Sequence, residues 1–470
     1  IPRTLPRMPD MNCHPVRRSV SVGLVLTLIV ALMAFIARSA WAQQSVSDST
    51  VRLTLGDAVR LAARQNAAVE GARARVDAAK ARVTQRRADL LPSVSAAIAE
   101  RGSTMNSATF PIDFPTVPGQ LPFFDPNGSI LGPVNALDAR ARVSQTLFDP
   151  AAHTRVQTAR TGVAAANADV ASIADLAAGA AANAYLAVLR ADAVYTARLA
   201  DSTLAAELLG IAQDQLTAGT GIALDVTRSR SQLTGARTQL IVARNERDRT
   251  RVDLARTLGL PLVRIELADA LTSLPTAASM SEATALDAAS HNRKDIQALD
   301  LQAKASREQA AAIRDERLPT IGLFADEGLS QRNGRSYLPT YDWGIQLSLP
   351  IFDGFRREGR VTEQVSAARD LEIRARDLRA QVDADVRSAT LNLRSSSEVV
   401  GAARERLSLA EQEVAQARER FQAGVSGNAD VITASITLNT ARTQLVDALT
   451  SYQASRVALA RAQGSIATLD

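Results

Sequence analysis

Hydrophobic positions along this chain recur with two different periods. From 156 to 194 they return in steps of three and four residues, as Val156, Ala159, Val163, Ala166, Val170, Ile173, Ala177, Ala180, Ala184, Ala187, Ala191 and Val194. The same spacing runs from Val361 through Val365, Ala368, Leu371, Ala375, Leu378, Val382, Val386, Ala389 and Leu393. It continues past one polar member, Ser396, through Val400, Ala403, Leu407, Ala410, Val414 and Ala417 to Phe421. This is the seam of a helix that packs along one face. No proline occurs from 151 to 260 or from 351 to 470, and proline is what breaks helices. A helix from about 151 to 218 would be about 100 Å long at 1.5 Å per residue, too long to bury itself in a compact domain. The alanines in the seams let helices approach closely and favour a sheet or tube of helices, with an ordinary long coiled coil as the plain alternative.

Between the helical stretches the period changes to two. Leu137, Ala139, Ala141, Val143 and Leu147 alternate with Asp138, Arg140, Arg142, Ser144 and Thr146. Tyr341, Trp343, Ile345, Leu347, Leu349 and Ile351 alternate with Asp342, Gly344, Gln346 and Ser348. Weaker partners precede them at about 93–101 and 320–327. One apolar and one polar face is the mark of a membrane barrel strand, and a soluble sandwich is the alternative. Of the 15 aromatic residues left once Phe35 and Trp41 are set aside, 11 fall in these two windows: Phe110, Phe114, Phe123, Phe124, Phe148, Phe324, Tyr337, Tyr341, Trp343, Phe352 and Phe355. Aromatic rings collect at membrane interfaces, so both windows are expected to meet lipid headgroups. Four strands cannot close a barrel, and an open edge is not tolerated in hydrocarbon. The wall must be completed by further copies of the chain, and two, three or four copies are arithmetically possible.

The sequence is also written twice. "ARTQL" occurs at 236–240 and again at 441–445, and an offset of 205 aligns residues 216–259 with 421–464 at 17 identities in 44 pairs. Thr54, Asp57 and Ala58 correspond to Thr284, Asp287 and Ala288, Leu91-Pro92-Ser93 to Leu318-Pro319-Thr320, and Leu147-Phe148-Asp149 to Ile351-Phe352-Asp353. The expected organisation is a first repeat over 43–261, a connector over 262–283 and a second repeat over 284–470. Two copies are too few for a capped solenoid and suit a closed ring.

Residues 1–42 read as a cleaved signal peptide. Arg17 and Arg18 precede an uncharged apolar run from Val20 to Ala37, and Ala40-Trp41-Ala42 supplies the cleavage site. The alternative is an uncleaved anchor. Met8 or Met11 is the expected start of translation. Removing this segment takes away five arginines and one aspartate and lowers the formal charge from +5 to +1, which leaves no basic excess for a nucleic-acid partner. The sole cysteine, Cys13, leaves with it. The mature chain therefore has no disulfide, thiolate metal site, cysteine nucleophile or N-terminal lipid anchor. His153 and His291 are isolated, and no catalytic or phosphate-binding motif is present, so neither an enzyme nor a cofactor is expected. The run "RNERDRTR" at 244–251 reads as a solvated helix face.

The ordered, duplicated set of motifs resembles the outer membrane efflux protein family, the TolC-like outer membrane factors. It comprises "LTLGDAVRLAARQN" at 53–66 leading to "LLPS", the "LFDP" and "IFDG" junctions, and the "AGTGIALDV" and "AGVSGNADV" hairpins, each followed by "ARTQL". The resemblance implies a mainly α protein with a membrane β-barrel portion. In it, a homotrimer forms a 12-stranded barrel, four strands per chain, continued by a long α-helical barrel. It implies the exit duct of a tripartite efflux pump or type I secretion system in the outer membrane of a Gram-negative bacterium, extending into the periplasm. The implied partners are outer-membrane lipid, a periplasmic adaptor (membrane fusion) protein, and through it an inner-membrane pump of RND or ABC type.

Tyr341, Trp343, Ile345, Leu347, Val143 and Leu147 are then expected on the lipid-facing or interfacial side of the barrel. Gly219 and Gly424 are expected to end the long helices in a left-handed turn, with Asp225 and Asp430 accepting backbone N–H groups at the next helix starts. By resemblance these hairpins, with Phe421, form the periplasmic tip, where three copies make a carboxylate-ringed constriction that favours cations. The sequence departs from the better-known tip pattern at Ser426, where an arginine can occur, and at Thr433, where a second acid can occur. The rival reading is a periplasmic coiled-coil adaptor without a pore, which accounts for the helices and the export signal but not for four alternating strands.

Overall fold

A computed structural model of the protein describes residues 51–109, 128–260, 265–271 and 281–468. The expected signal peptide, Phe110, Phe114, Phe123, Phe124 and most of the expected connector lie outside them.

The first three helix starts each have a local cause. Helix α1 (Leu55–Gln65) opens on a reciprocal cap, in which the Thr54 hydroxyl accepts from the Asp57 backbone N–H at 3.1 Å and the Asp57 carboxylate accepts from the Thr54 N–H at 3.3 Å. Asn66 ends α1 and caps α2 (Ala67–Ala88). Helix α3 (Pro150–Thr217) begins with Asp149 accepting from Ala152 N–H at 2.9 Å and with proline in its first turn, where no N–H is needed. A hairpin leads to α4 (Ala223–Leu258). The sequence of lengths then recurs: α5 (Glu282–Asn292), α6 (Lys294–Asp315), α7 (Arg356–Gln422) and α8 (Asn428–Ala462) have 11, 22, 67 and 35 residues against 11, 22, 68 and 36.

The two long rods organise everything else. At one level α3 packs against α4 and α8, and α8 against α7, giving the lateral order α4, α3, α8, α7. At the other level α2 and α6 flank α3, and α6 meets α7, giving α2, α3, α6, α7. A short ribbon of β1 (Val51–Leu53) and β4 (Ile265–Leu267) lies where the levels meet, together with α1 and α5. The seam read along α7 is largely the packed face: Ala368, Ala375, Val382, Val386, Ala389, Val400, Ala403, Ala410, Val414 and Phe421 are buried, while Val365 is exposed.

Along α3 the expected seam fails between 177 and 191. Ala180 and Ala187 are exposed, and Ala178, Ala181, Ala182, Tyr185, Leu186, Val188 and Leu189 are buried instead. At this level α3 is covered from several sides, by α1, α8 and the turn Ile466–Thr468, so burial spreads beyond one stripe. The same crowding accounts for an apolar window in α3 with mean hydropathy 1.4, half of it buried within the protein.

Four antiparallel strands cap the rods in the order β2 (Ser93–Asn106), β3 (Ile130–Phe148), β5 (Thr320–Arg332), β6 (Leu338–Ser348). All four expected strands are present. Three run further than their alternation suggested, whereas β6 stops at Ser348, so Leu349 and Ile351 belong to the turn into α7. Register places Val94, Val143, Ala325 and Trp343 in one row, and Ser95, Arg142, Asp326 and Asp342 in the next. Since side chains alternate across a strand, the first row faces one way and the second the other. Strands β2 and β6 each have one edge without a partner strand among the described residues.

Candidate functional site

The functional elements are the two faces of the sheet, the junction between sheet and rods, the joint between α3 and α8, and the two hairpin tips. On the apolar face Val143, Leu147, Tyr341, Trp343, Ile345 and Leu347 are all exposed. The opposite face carries charge: the Asp326 carboxylate, 2% exposed, is gripped by Arg140 and, at 3.1 Å, by Arg142, and Arg140 also pairs with Asp138. Here Gly344 is a spacing device, because a Cβ on it would lie 3.0 Å from the Phe324 ring.

Beneath the sheet the connecting turns are tied into a polar knot. Arg155 of α3 pairs with Asp149 at 3.1 Å and Glu316 at 3.5 Å, Arg360 with Glu316 at 2.8 Å, and Arg317 with Glu358 at 2.6 Å. The buried Arg357 guanidinium donates to Asp353 at 2.8 Å and to the carbonyls of Glu316 and Pro350. Burial works against the Asp353 charge, but the Arg357 guanidinium outweighs it and holds the carboxyl below its ordinary range. These pairs fix the sheet to both rods, since they join the α6–β5, β3–α3 and β6–α7 turns.

The level where the ribbon lies is polar as well as packed. The Tyr185 hydroxyl, pushed up in pKa by burial and by Asp269, lies 2.8 Å from the Asp269 carboxylate and 3.0 Å from the Leu53 carbonyl. Asp175 is pushed up, mainly by burial and then by Asp295. Burial would raise Asp295 too, yet its pairing with Arg293 lowers it. Two arginines of the 244–251 run are not solvated as expected: Arg247 stacks on the Tyr195 ring at 4.3 Å, and Arg251 pairs with Asp192 at 2.9 Å. Both act across the α3–α4 contact. His153 is exposed on the first turn of α3, and no group of residues suited to a metal ion occurs among the described residues.

Nearer the hairpins α3 and α8 are clamped through Asp201, whose side chain is 2% exposed. Arg198 of α3 reaches it at 3.1 Å and Arg442 of α8 at 2.9 Å. The Asn439 side chain lies against the same carboxylate, and the amide orientation that satisfies both groups is the one in which its nitrogen donates to Asp201. Arg198 also donates to Thr443 at 3.0 Å.

At the tips both long helices end as expected. Gly219 (φ 75°) and Gly424 (φ 70°) take the left-handed conformation that glycine adopts without strain, and Thr220 and Val425 donate back to the carbonyls of Gln215 and Arg420. The capping role expected of Asp225 and Asp430 is not found. The cap residues are Ile222 and Gly427, neither makes a side-chain cap bond, and both aspartates sit in the first turn, where they favour the helix dipole. Asp225 lies 3.8 Å from Arg228, and Asp430 is exposed. Phe421 is buried against Leu208, Ala212 and Val431.

What joins the two hairpins is a residue the motifs did not single out. Asn428, fully buried, donates from its amide nitrogen to the Ser229 hydroxyl at 2.7 Å and the Asp225 carbonyl at 3.0 Å. Gln215 adds a bond to the Phe421 carbonyl at 2.8 Å. The usable signal was asymmetry: at an offset of 205, Asn428 faces Ala223 and Asp201 faces Arg406.

Comparison with known proteins agrees with this architecture. The outer membrane efflux protein profile matches residues 58–260 and 285–465. The alkaline protease secretion protein AprF of Pseudomonas aeruginosa is 26% identical over 254 residues, a match spanning 51% of this chain and only about half, 51%, of that protein's length. The outer membrane protein VceC of Vibrio cholerae superimposes with a TM-score of 0.69 at 18% identity, over 87% of this chain and 96% of its own. The CmeC outer membrane channel of Campylobacter jejuni does so with a TM-score of 0.70 at 16% identity, over 97% and 94%. At these identities the two structures speak for the fold, which is mostly helical and like that of these outer membrane channels, and the profile, matching most of the sequence in two segments, speaks for descent: the chain belongs to the outer membrane efflux protein family.

Proposed function

We propose that this protein is the outer-membrane exit duct of a tripartite efflux pump or type I secretion system, a passive conduit rather than an enzyme. It resides in the outer membrane and extends into the periplasm. Three copies set edge to edge would bring their four-stranded sheets into one barrel of 12 strands, with the charged face inward and the Tyr341–Leu347 face toward lipid. The observation that carries this reading is the open sheet: two unpaired edges and a continuous exposed apolar face, standing on rods about 100 Å long. A periplasmic adaptor has no use for such a face.

The rods support the same assembly. Ile373, Leu391 and Leu409, all exposed, lie 18 residues apart, which is five helical turns, and so form one stripe on α7. Ile241 and Val252 are exposed on α4, the opposite edge of the layer. A neighbouring copy that seats α4 against α7 covers both. The recurring helix lengths support two internal repeats, 43–261 and 284–470, joined by 262–283. The tips, with Gly219, Asp225, Gly424 and Asp430, would meet at the periplasmic end and receive the adaptor, through which an inner-membrane pump of RND or ABC type delivers cargo. Similarity to a protease secretion protein supports a protein-exporting role, and membership of the outer membrane efflux protein family supports efflux equally.

The test is direct, because the chain after residue 42 has no cysteine. Cysteine pairs placed one on β2 and one on β6 should yield disulfide-linked oligomers up to a trimer, and the purified protein should conduct ions across a planar bilayer. A monomer that inserts into no bilayer would end the proposal.

A further inference from the structure

At the foot of the sheet, where it meets the rods, the chain holds an aromatic pair out in the open. Phe352 and Phe355 are 74% and 71% exposed, and their rings meet edge to face with centroids 5.6 Å apart. Phe355 has φ 62°, directly after Gly354 at φ 69°. A left-handed conformation is a real outlier for a bulky side chain, and such strain persists only where the surroundings impose it. The turn itself does not require it: the equivalent junction of the first half passes from Asp149 to Pro150 with an ordinary helix cap. Here Arg357, bonded to Asp353, Glu316 and Pro350, pins the turn from beneath. Both rings are left exposed in the turn that follows β6.

Charge follows the same rim. Arg155, Arg317, Arg357 and Arg360 in the knot below are all paired. Arg356, next to Phe355, is exposed, and the one carboxylate its charge acts on, Asp353, is already bound by Arg357. At the other two junctions an exposed leucine stands four residues after an exposed arginine that makes no ion pair among the described residues: Arg87 before Leu91, and Arg314 before Leu318. Apolar groups beside exposed guanidinium groups match the boundary between acyl chains and phosphates, since aromatic rings settle at that depth and arginine binds phosphate through paired N–H donors.

We propose that this rim is a phospholipid-headgroup collar: the Phe352–Phe355 pair sets the depth of the barrel in the inner leaflet, and Arg87, Arg314 and Arg356 hold the phosphates of anionic phospholipids. The proposal rests on reading the sheet as a membrane wall. Trp343, the sole tryptophan after residue 42, lies on the lipid-facing side of β6 and reports depth.

The full mature protein is reconstituted in dioleoylphosphatidylcholine vesicles, with lipids brominated at two acyl depths as quenchers. Phe355→Gly suits the left-handed backbone, so the double variant Phe352→Ala/Phe355→Gly should fold and conduct as the parent does. Its ratio of Trp343 quenching by shallow and deep bromines should change by at least about twofold. In parallel, spin-labelled phosphatidylglycerol should associate with the parent at least about twofold better than phosphatidylcholine, a preference removed by Arg87→Gln/Arg314→Gln/Arg356→Gln and by raised salt. An unchanged quenching ratio, or a preference that survives the arginine replacements, overturns the collar. So does competition by inorganic phosphate alone, which would indicate a lipid-independent anion site. If no brominated lipid quenches Trp343 at all, the membrane-wall reading fails first and the collar with it.

Discussion

The joint at Asp201 offers the sharpest quantitative test of how the two hairpins are held together. Asp201→Ala removes a carboxylate that is 2% exposed and leaves Arg198 and Arg442, 22% and 25% exposed, without their shared partner. Removing one member of a buried charge pair costs about 3–5 kcal/mol. Because both guanidinium groups retain some contact with water, the expected loss is smaller, about 2–3 kcal/mol. Arg442→Ala should cost less, since Arg198 and Asn439 still satisfy the carboxylate. In a double-mutant cycle the pair should show a coupling of about 1–2 kcal/mol, a five- to thirtyfold discrepancy between the observed and the additive change in unfolding rate. The rates are read by far-UV circular dichroism of the detergent-solubilised protein in a fixed concentration of guanidinium chloride. Because the pair spans α3 and α8, both single variants should also raise mean conductance in planar bilayers. Effects that add to within about 0.5 kcal/mol would show that the joint is held by the apolar contacts around it and not by the charges.

Two further outcomes follow from buried polar groups. Asp175 has a folded pKa above its unfolded value of about 3.9, so its contribution to stability is fully present below that value and is lost as pH rises through the folded pKa. Asp175→Asn should therefore raise the thermal midpoint at pH 7 and leave it unchanged near pH 3, and an equal shift at both would refute the burial argument. Asn428→Ala leaves the Ser229 hydroxyl and the Asp225 carbonyl without their donor. It should cost about 1–2 kcal/mol and increase channel conductance, and a variant identical to the parent in both would remove Asn428 as the tie between the tips.

Periodicity made most of the architecture legible. The α7 seam is read almost residue for residue because that helix meets its neighbours along one stripe, and the four strands are found because one face of each is apolar. Where the reading failed, the environment had more than one side. Between 177 and 191 helix α3 is wrapped by other elements, so no single phase describes it. The arginines at 247 and 251 looked solvated because Tyr195 and Asp192, their partners, lie more than 50 positions away in sequence. Asp225 and Asp430 looked like caps because proximity to a helix start does not determine which residue takes the cap conformation.

Duplication supplies a further rule that periodicity cannot. Where the halves agree, as at Gly219 and Gly424, the shared residue serves the unit itself, here the left-handed end of a long helix. Where they disagree, the residue serves a contact that only one half makes. "ARTQL" illustrates both: Arg237 and Arg442 occupy the same place in the motif, yet only Arg442 finds an ion pair among the described residues, because the counterpart of Asp201 in the second half is Arg406. Asn428 against Ala223, and the strained Gly354-Phe355 turn against the Asp149-Pro150 cap, follow the same logic. The residues that break the internal symmetry therefore mark contacts that one half makes alone, while the rods and their glycine ends are common to both halves.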